Sequence, residues 1–105
     1  MNQELKYRGM TYKYELIFTE SAWKEWRKLD PDTRTKFSKK LKERRQEPCI
    51  PSSRLFAMRD CYKIKLRSAG YRLVYRVVEA EILIEVISVG KRDKGAVYEA
   101  AQERI

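Results

Sequence analysis

The sequence predicts an α+β domain in which two N-terminal helices pack on one face of an antiparallel sheet and a short C-terminal helix ends the chain. Two features carry that expectation. Apolar residues at helical spacing are confined to the part before Pro48 and to the C-terminal end. Between them, strand-like alternation recurs around a tight turn in DCYKIKLRSAGYRLVYRV, Asp60 to Val77, and again in VISVGKR, Val86 to Arg92. Helices segregated from strands in this way belong to the α+β class.

In chain order, Met1 to Gly9 is polar and aperiodic and reads as a short tail or start-site extension, with one domain over residues 10–105. Thr11 to Phe18 places Tyr12, Tyr14, Leu16 and Phe18 on one face and reads as the first strand. Thr19 is a plausible cap for a helix carrying Ala22, Trp26 and Leu29 at helical spacing, with Trp23 broadening the stripe, so both tryptophans are expected in the core. Asp30-Pro31 opens a second helix, the aspartate capping and the proline sitting where no amide donor is needed.

That second helix runs to about Glu47 and buries little beyond Phe37 and Leu41. Arg34, Lys36, Lys39, Lys40, Lys42, Arg44 and Arg45 crowd its remaining surface, which either tracks an RNA backbone or is simply solvated. Pro48 and Pro51 end it in a loop, followed by a short apolar piece around Leu55 to Met58. Strands are then expected over Tyr62 to Arg67, Tyr71 to Val78 and Ile82 to Val89, forming an antiparallel meander. From Asp93, Val97, Ala101 and Ile105 fall on one helical stripe that Gly95 weakens. The sheet face away from the first two helices is expected to be open to a ligand.

The meander carries the functional signal. Lys63, Lys65 and Arg67 share one face of their strand, opposite Tyr62, Ile64 and Leu66, and Arg72, Val74 and Arg76 align likewise on the next. A matching hairpin register pools these cations. The formal charge of +9, from 24 Lys and Arg against 15 Asp and Glu, points the same way, to a polyanionic partner. Charge of that kind confers salt-sensitive affinity and no sequence specificity.

Other chemistries are poorly served. The chain has no histidine, which removes the usual imidazole acid-base pair and the commonest metal ligand. Its carboxylates form no pair or cluster suited to a divalent metal, and VISVGKR lacks the upstream glycine of a phosphate-binding Walker loop. Cys49 and Cys61 match no zinc spacing and no disulfide framework, so reduced thiols are expected. Apolar stretches are short and interrupted by charges such as Arg72, Arg76 and Glu85, so no membrane contact is expected and a cytoplasmic protein is.

The segment DCYKIKLRSAGYRLVY, with VISVGKR and the later Val97-Tyr98, resembles the RelE toxins of bacterial toxin-antitoxin systems. The likeness runs from Met10 to Ile105 and includes EWRKL, Glu25 to Leu29. It implies a microbial-RNase-like α+β fold, and an endonuclease that enters the ribosomal A site and cuts mRNA there without a metal or cofactor. It also implies an antitoxin that silences the toxin and represses the shared operon with it by binding operator DNA. The first nine residues and the KGA of Lys94 to Ala96 depart from the family pattern.

Family positions carry over to Lys63, Lys65, Arg72, Arg92 and Tyr98. The implied reaction is attack of a ribose 2′-hydroxyl on the adjacent phosphodiester. Lys65 would act as base, and Lys63 and Arg72 would stabilise the phosphorane. Arg92 would serve the leaving 5′-oxygen, and Tyr98 would stack on or orient a nucleotide. Arg67 and Arg76 are expected as further RNA-backbone contacts. An ordinary lysine, with a pKa of about 10.4, is a poor base at neutral pH; neighbouring cations depress that value and bound phosphate raises it. Arginine suits electrostatic stabilisation better than proton transfer.

Each residue has a plainer alternative. Lys63 and Lys65 serve equally as strand lysines that discourage edge pairing, Arg72 as partner to a carboxylate, and Tyr98 as packing. Two other functions share these features: a ParE-like toxin that inhibits DNA gyrase without cutting RNA, and a basic nucleic-acid-binding module.

Overall fold

The computed structural model describes residues 13–93 and 95–105. The expected N-terminal tail, the start of the first strand at Thr11 and Tyr12, and Lys94 lie outside the described residues. In chain order the elements are β1 (Glu15–Phe18), α1 (Glu20–Arg27), α2 (Pro31–Gln46), β2 (Cys61–Leu66), β3 (Tyr71–Val78), β4 (Leu83–Lys91) and α3 (Ala96–Arg104). Short 3-10 turns occupy Pro51–Ser53 and Glu79–Glu81.

Both helix starts follow their capping chemistry. The Thr19 hydroxyl accepts from the Ala22 amide at 3.1 Å, and the Asp30 carboxylate accepts from the amide and hydroxyl of Thr33 at 3.1 and 2.6 Å. Those donors hold the Asp30 carboxyl below the usual aspartate value. Leu29 is buried although α1 ends at Arg27, because the two residues beyond it turn the chain toward α2.

The sheet order is β1-β4-β3-β2. β2, β3 and β4 form the expected antiparallel meander, but β1 joins β4 in parallel, from Glu15 opposite Leu83 to Phe18 opposite Val86. The sheet is therefore mixed. Alternation in a sequence reveals a strand but not its partner or direction, and a connection containing two helices allows a parallel return.

The helices cover one face. Tyr62, Ile64 and Leu66 of β2 and Leu73, Tyr75 and Val77 of β3 share a buried cluster with Phe37 and Leu41 of α2 and Ala22 of α1. Trp26 packs against it, edge-on to Phe18 at 5.2 Å. Trp23, expected in the core, is instead 45% exposed, because it sits at the margin of a stripe centred on Ala22 and Trp26.

The opposite face is not open along its length. The segment from Leu55 to Met58 and helix α3 cover part of it, joining Cys61, Val74, Ile87, Val97 and Ala101 in a second cluster. A β-bulge makes this possible. Val74 faces Ser88 and Tyr75 faces Val86, so Ile87 is the extra residue. Val86 and Val89 thus stay with the helices α1 and α2, while Ile87 and Ser88 both serve α3.

Helix α3 starts from Gly95, at φ +77° and without a side-chain cap. The glycine lies at the N-cap, not in the helix interior as expected, where its left-handed conformation carries no penalty. Val97 and Ala101 are buried, but Ile105 follows the last helical residue and is 45% exposed, so it leaves the expected stripe. Both cysteines are free; burial pushes the Cys61 thiol up to about 11, whereas Cys49 is exposed. No helix among the described residues is long and apolar enough to cross a membrane.

Candidate active site

The β2–β3 register sets the cationic cluster. Lys65 faces Arg72, Lys63 faces Val74 and Cys61 faces Arg76, and Arg72 has Gly90 on its other side. Lys63 and Lys65 are half-exposed, whereas Arg72 is only 8% exposed. Arg72 donates to the carbonyl of Tyr71 at 2.9 Å and makes no ion pair with any carboxylate of the described residues. A nearly buried guanidinium without a countercharge is costly to keep, which argues against the plainer alternative for this residue.

Arg92 reaches the same corner through its backbone. Its amide donates to the Gly70 carbonyl at 2.7 Å, tying the end of β4 to the turn between β2 and β3. Gly70, at φ +71°, supplies the left-handed residue that turn needs. Arg72, Arg92 and Tyr98 then line one hollow of about 30 Å³, together with Lys91 and Asp93. Asp93 lines it without forming an ion pair to either arginine.

The electrostatics follow from this crowding. Lys63, above all, together with partial desolvation, Arg67 and Arg72, lowers the pKa of Lys65 below the ordinary lysine value. The shift enlarges the neutral fraction that a general base requires. It also records that the four cations share one neighbourhood.

Arg67 and Arg76 part company. Arg67 lies beyond the end of β2 and is exposed, lining with Lys65 an open groove of about 700 Å³ against Lys36, Lys39 and Lys40 of α2. Arg76 donates to Glu85 at 2.8 Å and sits farther along the face, beside Cys61, so its charge is offset within the fold. It does not join the cluster around Lys65.

Helix α2 is likewise divided. Arg44 turns inward, donating to the Tyr75 hydroxyl at 2.8 Å, the Lys63 carbonyl at 3.2 Å and Ser53 at 3.2 Å. Arg45 donates to the Tyr14 carbonyl at 2.9 Å. These two are struts; the outward cations are the lysines, with Arg34 half-exposed near the start of the helix. Sequence reasoning missed that division, and it missed Lys91, whose place follows only once Tyr71 is known to pair with it.

Among the described residues, no group of three or more His, Cys, Asp or Glu side chains is arranged to hold a metal ion. What the site offers chemically is a row of cations around the Lys65 amine, with an aromatic ring at its edge. Such a constellation suits a phosphodiester whose charge grows during reaction.

Comparison with known proteins places this geometry. Residues 16–95 match the family model described as the ParE toxin of type II toxin-antitoxin system, parDE. The mRNA interferase toxin RelE of Escherichia coli K12 is 52% identical over 92 residues, covering 88% of this chain and 97% of that protein. The structure of a double arginine-to-alanine mutant of E. coli toxin RelE in the free state superposes with a TM-score of 0.83 at 50% identity, covering 89% of this chain and 98% of that one. The toxin of the intact E. coli RelBE toxin-antitoxin complex gives 0.74 at 52% identity, covering 76% and 98%.

Proposed function

Because the chain belongs to the RelE/ParE superfamily of type II toxin-antitoxin toxins, we propose that it is an endoribonuclease that cuts mRNA in the ribosomal A site and so stops translation. The observation that carries this reading is the convergence of Lys65, Arg72, Arg92 and Tyr98 on one corner, with no carboxylate of the described residues paired to its arginines.

In the proposed reaction Lys65 takes the proton of a ribose 2′-hydroxyl. The 2′-oxygen attacks phosphorus, the bond to the 5′-oxygen breaks and that oxygen takes up a proton from water, so the products are a 2′,3′-cyclic phosphate and a free 5′-hydroxyl. Lys63 and Arg72 stabilise the phosphorane charge, as preorganised donors do in a partly water-excluded site. Arg92 stabilises the departing 5′-oxygen, and Tyr98 orients a nucleotide at the rim. No step is assigned to a metal ion. The groove between Lys65, Arg67 and the lysines of α2 supplies backbone contacts to RNA.

The partners proposed are a cognate antitoxin, the ribosome and its rRNA, the mRNA, and operator DNA reached through the antitoxin complex. The known RelBE complex supports the first of these. The site of action is then the cytoplasm. The ParE name of the matching family model favours a second reading, a toxin that inhibits DNA gyrase and cuts no RNA.

The deciding experiment is cleavage of a defined mRNA on ribosomes with an empty A site, beside free RNA and the Lys65→Ala variant. Cutting that requires the ribosome and disappears in the variant is the expected result. Growth inhibition without cutting transfers the target to gyrase or another protein.

A further inference from the structure

Tyr98 is the one proposed site residue carried by a helix outside the sheet, and its own hydroxyl does nothing to place it. The Tyr98 oxygen is buried without a hydrogen-bond partner among the described residues. The start of α3 has no side-chain cap at Gly95, and its Ala96 amide donates to the Asp93 carbonyl at 2.9 Å. What seats the helix lies on either side of Tyr98. Before it, Val97 approaches Gly90 so closely that an added Cβ there would stand 3.4 Å from its methyl, and Ser88 donates to the Val97 carbonyl at 2.8 Å.

At the far end Arg104 closes a bidentate fork on Glu25 of α1, at 3.0 and 2.9 Å, and also donates to the Ile87 carbonyl at 2.8 Å. Glu25 in turn accepts from the Val89 amide at 3.1 Å. These backbone groups belong to the stretch of β4 beyond Val86, where β1 has already ended. Two side chains 79 positions apart therefore finish the edge of the sheet and pin the last helix to the first. Between the pin and Val97, Ala101 packs α3 into the second cluster, while a cleft of about 250 Å³ lined by Glu25, Val89 and Ala100 leaves its other flank without support.

We propose that Glu25 and Arg104 are positioning residues that hold Tyr98 against Arg72 and Arg92. The proposal rests on the nuclease reading for its activity measurements, because Tyr98 is placed in that machinery. Neither residue touches the reacting atoms. Their effect passes through the seat of α3, and a displacement of about 1 Å at a reacting site can cost on the order of 100-fold in rate.

The test is a mutant cycle in single-turnover mRNA cleavage at saturating ribosome. Arg104→Met should cut about tenfold more slowly, with the half-saturating ribosome concentration held within about twofold. Arg104→Lys, which keeps one donor for Glu25, should recover part of the loss. In a Tyr98→Ala background Arg104→Met should have little further effect, since nothing remains to be positioned. Amide exchange should quicken across residues 97–104 and stay unchanged in β2 and β3. Full-rate cutting by Arg104→Met, or an undiminished loss in the Tyr98→Ala background, overturns the proposal. If the unaltered protein cuts nothing, the nuclease reading fails instead, and slow exchange at α3 in Arg104→Met would then sink the clamp independently.

Discussion

Lys65 stands directly across from Arg72 in the β2–β3 register, with Lys63 on its own strand as the strongest influence on its charge. The proposed base and the groups proposed to assist it are thus neighbours by strand pairing, not by loop conformation. The lowered pKa of Lys65 has a definite sign. Below it the amine is charged and cannot accept a proton; above it the amine is free. Single-turnover cleavage should rise with pH and level off below the ordinary lysine value, and Lys63→Met should move that midpoint upward. A pH-independent rate from neutral to alkaline conditions would remove Lys65 from the base role.

The same crowding opposes folding. A lysine whose pKa falls on folding binds protons more readily in the unfolded chain, so the cluster costs stability near neutral pH and the cost fades as pH rises. Lys65→Met should therefore lose cutting and melt at a higher temperature than the unaltered protein. Calorimetry beside the cleavage assay separates this from a residue kept for structure.

Arg72 is nearly buried, planar and without an ion pair among the described residues, so a point charge is a poor substitute. Arg72→Gln should slow the chemical step by on the order of 100-fold or more while leaving ribosome affinity nearly unchanged. An equal loss in binding and rate would mean that Arg72 grips the ground state.

Tyr75 shows how much of the basic α2 is internal framing. Its fully buried hydroxyl donates to the Pro48 carbonyl at 2.6 Å and accepts from Arg44 at 2.8 Å. Tyr75→Phe leaves the Pro48 carbonyl without this donor and takes one of three acceptors from Arg44, and should destabilise the protein by about 1–3 kcal/mol in urea unfolding, with cleavage retained at a permissive temperature.

Cys49 and Cys61 should differ in a simple labelling experiment. With Cys61 buried and its thiol pushed up to about 11, native protein should take up alkylating reagent at Cys49 alone. Mass analysis should find the second label only after unfolding.

Much of this arrangement is legible in the chain because it is local. The two faces of β2 and β3 follow from alternation, and the start of α2 follows from Asp30-Pro31. The cation cluster was legible for the same reason, since Lys63, Lys65 and Arg72 flank one turn. What stayed hidden depends on partners distant in sequence. Nothing near Arg76 announces Glu85, nothing near Glu25 announces Arg104, and the parallel pairing of β1 leaves no mark on its pattern. The exposure of Trp23 was missed because a stripe read from spacing does not reveal where its edge falls.

The bulge at Ile87 works like a reading-frame shift in the side-chain code of β4. Ahead of it one parity of residues addresses α1 and α2; past it the other parity does. The bulge absorbs that single extra residue, so Gly90 keeps its place opposite Arg72 and against Val97. Deleting Ile87 would restore unbroken alternation, with Ser88 and Gly90 still toward α3 and Val89 still toward the main core, so the loss would be confined to what Ile87 fills in the second cluster; pairing Ile87 in register instead would turn Val89 toward α3 and Gly90 toward the main core. A one-residue insertion or deletion elsewhere in β4 does shift that frame, and is consequently harsher than most substitutions.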